Sequence, residues 1–89
     1  MNNNKKSHIE KMKKYLNNIN IKLNKIEKNI DESTDYDFIE KLILALDMLN
    51  IRINNLEKTL KQDISSSYLD RLIYKDNKII SQIDSMINN

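Results

Sequence analysis

An all-helical fold, an antiparallel three-helix bundle with coiled-coil-like heptad packing, is what this sequence predicts. Three observations point there. The 89-residue chain has no Gly and no Pro, and the tight turns of hairpin-rich β folds need residues at positive φ. Apolar residues recur at 3-4 spacing along three stretches, the period of helices that each bury one stripe. Between those stretches lie clusters of acidic and hydroxyl residues, which compete for backbone hydrogen bonds and favour helix ends. A chain of this length is one domain.

The first helix is expected over residues 7–30. Ile9, Met12, Leu16, Ile19, Leu23, Ile26 and Ile30 form an unbroken a/d seam. Ser7 and Glu10 make an S-x-x-E capping box at its start. Residues 1–6 precede that cap and are expected to be a disordered tail. Asp31 to Asp35 supply the first connection, with Thr34 and Asp37 as a box-like pair.

The second helix is expected over 35–61, on the seam Ile39, Leu42, Leu46, Leu49, Ile53, Leu56 and Leu60. Lys58 and Lys61 fall in its last turn, where cations suit the helix dipole. The third is expected over 67–88, capped by Ser67 with Asp70. Its stripe is wider, running from Leu69 through Leu72, Ile73, Ile79, Ile80, Ile83 and Met86 to Ile87. Asp76 interrupts that stripe. It is expected at the edge, reaching water; burial would require a partner such as Arg52 or a Lys.

Composition excludes several functions. Without Cys there is no disulfide framework, thiolate nucleophile or thiolate metal site. Without Gly there is no phosphate-cradling loop or dinucleotide fingerprint. No His and carboxylate cluster has metal-ligand spacing, so neither metal nor cofactor is expected. The single His, His8, is expected to be solvated near the first cap. The Ser65-Ser66-Ser67 run has no His partner in view and reads as a cap. A slim bundle offers little pocket for acid–base chemistry, so the chain is not expected to be an enzyme or to take a small-molecule substrate.

Some apolar residues remain once the seams are assigned. Leu44, Met48 and Ile51 follow i, i+4, i+7 on the second helix. With Ile43 and Ala45 they make residues 42–51 apolar almost all round, which an ordinary surface helix is not. Three helices cannot surround one of their own members. Leu44, Met48 and Ile51 are therefore expected to bind another protein or a second copy, in the helix-in-groove mode. Tyr74 and Ile21, off their own seams, are further candidates.

Charge is lopsided. Residues 1–30 carry a net +6 and residues 31–89 a net −4. Lys11, Lys14, Lys22, Lys25 and Lys28 line the outer face of the first helix and define an alternative, phosphate-driven nucleic-acid surface. Arg, the usual base-edge reader, occurs only twice. A structural subunit of a larger assembly is a third reading. Lys outnumbers Arg 13 to 2, and Ile and Asn are abundant, as AT-rich codon usage would produce. By analogy of size and class, a small regulatory protein of this kind suits an inhibitor, immunity or anti-defence factor of a phage, plasmid or low-GC bacterium. Residues 1–14 are polar and basic without an apolar run, and no stretch approaches the roughly 20 apolar residues of a membrane span. A cytoplasmic protein without a membrane partner is expected.

Overall fold

The structure, a computed structural model, describes residues 2–88, with side chains from Asn4 onward. It holds three helices: α1 (Asn2–Glu27), α2 (Tyr36–Thr59) and α3 (Ser66–Asn88). Cross-helix contacts fix their directions. Lys5 near the start of α1 donates to the Gln62 carbonyl beyond the end of α2, at 3.1 Å. Lys13 meets Glu57 at 3.4 Å. These two helices therefore run antiparallel. α1 and α3 run the same way, because His8 meets Asp76, Lys11 meets Asn77 and Tyr15 meets Asp84. The result is the expected up-down-up bundle, 52 Å long and 21 by 16 Å across.

The seams form the core. Met12, Ile19 and Leu23 of α1 are buried against Leu42, Leu49, Ile53 and Leu56 of α2, and Leu69, Leu72, Ile83 and Ile87 of α3 complete it. Ala45 is fully buried, while Leu46, a seam position, is only partly so. A small side chain at 45 lets a neighbouring helix approach closely. Packing is uneven: α1 and α2 are closely joined, and α3 lies more thinly on α2.

Helix ends differ from the expectation at several points. α1 already begins at Asn2. Residues 2–6 are therefore helical, and Ser7 sits inside the helix instead of capping it; Met1 lies outside the described residues. α1 stops at Glu27, which leaves Ile30, the last residue of the expected seam, exposed in the connection. With no Gly to take a left-handed C-cap conformation, Asn29 closes the helix. Its side-chain amide donates to the Lys25 carbonyl at 3.1 Å. None of the described residues has positive φ.

The N-cap of α2 is Asp35, whose carboxylate accepts from the Phe38 N–H at 3.1 Å. Thr34 instead accepts from the Asp31 N–H at 2.8 Å, so its hydroxyl closes the connection and not the helix. α3 starts one residue early. Ser65, two residues before the expected cap, accepts from the Tyr68 N–H at 3.1 Å. In each case the cap is the residue whose oxygen meets the orphan amide donors of the first turn. Several nearby polar residues satisfy that chemistry equally in sequence.

The α1–α3 pairs set a register offset of about 68 residues. Asn88 thus lies level with about Asn20. The backbone of residues 21–27 of α1 extends past the end of α3 by roughly 10 Å at 1.5 Å per residue.

Candidate protein-binding face

α2 shows two faces. One carries the buried seam. The other carries Leu44, Met48 and Ile51, which are 51%, 38% and 64% exposed. α3 and α1 both lie on the seam side, so neither covers this stripe. Beside it runs a shallow groove between α2 and α3, lined by Met48, Ile51, Arg52, Asn55, Lys75 and Ile79. Ile79 extends the apolar area across to α3. Large apolar side chains that the fold leaves open in one contiguous patch mark interaction surfaces more often than isolated ones do.

Tyr74 and Ile21 are also exposed, but the structure does not bring them to this face. Tyr74 is two positions, about 200° of helix, from the buried Asp76 and points outward, with the Lys78 ammonium 4.8 Å from its ring centre. Ile21 stands on the outer side of α1 among polar residues. Each is a single exposed apolar residue, which is ordinary.

Below the groove lies a polar cluster that takes one residue from each helix. Asp76 of α3 is fully buried, and His8 of α1 is 5% exposed. The His8 Nε2–H donates to Asp76 Oδ2 at 2.6 Å, and the Arg52 Nε–H of α2 donates to Oδ1 at 2.5 Å. Burial alone pushes the Asp76 carboxyl up, but the hydrogen bonds and charges of His8 and Arg52 together outweigh it and hold the carboxyl below its usual range. Arg52 Nη2 is buried without an acceptor among the described residues.

Two expectations are corrected here. Asp76 does not reach water at the stripe's edge, and His8 is not a solvated residue at a frayed cap. The signals were present but weak. Asp76 stands at a core position of the α3 stripe, and His8 precedes Met12 by four residues, one turn up the same face. Once α1 starts at Asn2, His8 lies within a complete helix and its inward position follows. A second cross-helix pair had no sequence signal: the Tyr15 hydroxyl donates to the Asp84 carboxylate. Burial first, then that hydrogen bond and the Asp84 charge, raise the Tyr15 pKa.

The lysine face of α1 is interleaved with other groups. Lys11 donates to the Asn77 side chain at 2.9 Å. Lys22 shares a surface hollow with Asp84, and Lys25 shares another with Asp31 and Asp35. All five, Lys11, Lys14, Lys22, Lys25 and Lys28, are exposed. Among the described residues none of these five lysines makes an ion pair; the α1 lysine that does is Lys13, with Glu57.

Among the described residues there is no group of His, Cys, Asp or Glu placed to hold a metal ion. No described helix is long and apolar enough to cross a membrane. In comparisons with known proteins, the chain matches no family model, no curated protein and no solved structure.

Proposed function

We propose that this chain is a non-enzymatic interaction protein that binds a helix of a protein partner along the exposed stripe of α2. The observation that carries the reading is the solvent exposure of Leu44, Met48 and Ile51 on a helix whose opposite face already completes the core. Their i, i+4, i+7 spacing matches the anchors of helix-in-groove recognition, and the α2–α3 groove widens the seat with Ile79. The bundle gives that face a rigid backing, and the buried His8–Asp76–Arg52 cluster fixes the relative register of the helices that form it. The nucleic-acid reading comes second because the chain has only two Arg for base-edge contacts.

The test is a pair of variants, Leu44→Asp and Ile51→Asp. Both are expected to keep the helical circular-dichroism signal and the parent's urea midpoint, and to lose association measured by light scattering or by a labelled partner. A variant that unfolds would show that the stripe belongs to the core, and the reading would fail.

A further inference from the structure

We infer that the partner of this face is a second copy of the same chain, bound antiparallel through α2 about a two-fold axis near Met48. This rests on the reading of the α2 stripe as an interface. The observation beyond exposure is that the stripe is self-complementary.

Asp37, Leu44, Ile51 and Lys58 follow one another at seven-residue intervals along α2. With Lys41, Met48 and Asn55 between them they make a second heptad seam, opposite the buried one. Strict seven-residue spacing drifts by only about 20° per heptad, so all of these residues share one face and support a left-handed crossing. Its centre is apolar and its ends carry opposite charge, acid near the start of α2 and base near the end. All of these side chains are exposed. Among the described residues, neither Asp37 nor Lys58 makes an ion pair within the chain.

A closed two-fold contact places the same patch on both partners. When two copies of α2 meet antiparallel about a point close to Met48, Asp37 faces Lys58 of the second copy, Lys41 faces Asn55, and Leu44 faces Ile51. Met48 meets its own counterpart at the axis. Each pairing occurs twice. The parallel alternative stacks Asp37 on Asp37 and Lys58 on Lys58, which like-charge repulsion disfavours. Because α3 lies to one side of the stripe, the rotation places both α3 helices on the same side. Ile79 and the α2–α3 groove then flank the contact from both copies.

The chain has no Cys, so introduced thiols report geometry without background. Sedimentation of the unmodified protein is expected to give twice the 10.6 kDa chain mass. Met48→Cys is expected to cross-link to itself under mild oxidation. Asp37→Cys is expected not to self-link: its two copies stand about 31 Å apart along the axis at 1.5 Å per residue, and a disulfide needs Cα atoms within about 7 Å. Mixed with Lys58→Cys it is expected to give the heterologous cross-link. Leu44→Asp is expected to sediment as a folded monomer.

The possible failures separate. A monomeric parent overturns the second-copy inference and leaves the face open to a foreign helix. A dimer that self-links through Asp37→Cys overturns the antiparallel arrangement. A dimer unaffected by Leu44→Asp uses another surface, and the inference falls. An unfolded Leu44→Asp protein places the stripe in the core, and the proposed function falls with it.

Discussion

Removing the Asp76 carboxylate is the most informative perturbation of the fold. Asp76→Ala deletes the one acceptor shared by His8 and Arg52, two donors from different helices. Both are left facing a buried gap. Breaking a buried charged pair by removing one partner typically costs about 3–5 kcal/mol, because the other charge stays desolvated. Arg52 keeps a partly exposed side chain, so water relieves some of that cost and the lower half of the range is expected. An 89-residue domain has a total stability of roughly 4–13 kcal/mol, so the loss is a large part of it. With a urea m-value near 1–1.5 kcal/mol/M for this size, the midpoint should fall by about 2–4 M. The assay is urea unfolding followed by far-UV circular dichroism. His8→Ala should cost less, about 1.5–3 kcal/mol, since Arg52 still answers the carboxylate. Asp84→Ala, which removes an exposed partner of Tyr15, serves as a contrast and should stay within about 1 kcal/mol. An Asp76→Ala protein within about 0.5 kcal/mol of its parent, as for an ordinary surface change, would refute the picture of a desolvated cluster.

Further outcomes follow from the same structure. Because the Asp76 carboxyl lies below its usual range when folded, its contribution is complete above the unfolded value of about 3.9 and is lost as pH falls through the lower folded value. Urea midpoints measured down to about pH 2 should therefore drop more steeply for the parent than for Asp76→Asn. Asp31, lowered by its Ser33 hydrogen bonds, titrates in both proteins and cancels in that comparison. Replacing the whole cluster, as His8→Leu with Arg52→Met and Asp76→Leu, should be neutral or stabilising by about 1–4 kcal/mol in thermal melts, provided the volume is kept. Asp35→Ala and Ser65→Ala each remove an N-cap oxygen and should cost about 1 kcal/mol in the same urea assay. Leu49→Ala should cost about 2–5 kcal/mol, whereas exposed Ile51→Ala should change monomer stability by less than about 0.5 kcal/mol.

Helix number, order and direction were legible in the residues because the heptad seams are unbroken, and packing an apolar stripe leaves few alternatives. The spare stripe was legible for the same reason, since Leu44, Met48 and Ile51 repeat at helical spacing off the seam. Helix ends were not, because Ser7, Thr34 and Ser67 offer the same capping chemistry as the residues that serve. The polar cluster was only half legible. Asp76 announced itself as a carboxylate in a stripe, and Arg52 was its natural partner. His8 did not, since its burial depends on α1 extending through the polar residues before it, which carry no seam. The groove residue Ile79 reads in sequence as part of the α3 core, whereas in the fold it is half-buried and lines the α2–α3 groove.

The thin cover of α3 on α2 bears on the order in which the molecule assembles. α1 and α2 are joined by a connection of eight residues, 28–35, and their backbones approach each other more closely along their length than α3 approaches α2. Their hairpin closes a short loop, the kind of contact that forms fast. While α3 is away, His8 and Arg52 remain hydrated, and their hairpin bears no desolvation cost. The whole of that cost falls on the docking of α3, which brings Asp76 to them across 68 and 24 residues of chain. The third helix is therefore expected to dock last and to open first. Its amides should exchange through openings that leave the hairpin closed, and substitutions at Asp76 should speed its release far more than they slow collapse. Each such opening also strips one wall from the α2–α3 groove, so any occupant of the α2 stripe that leans on Ile79 holds the last helix in place.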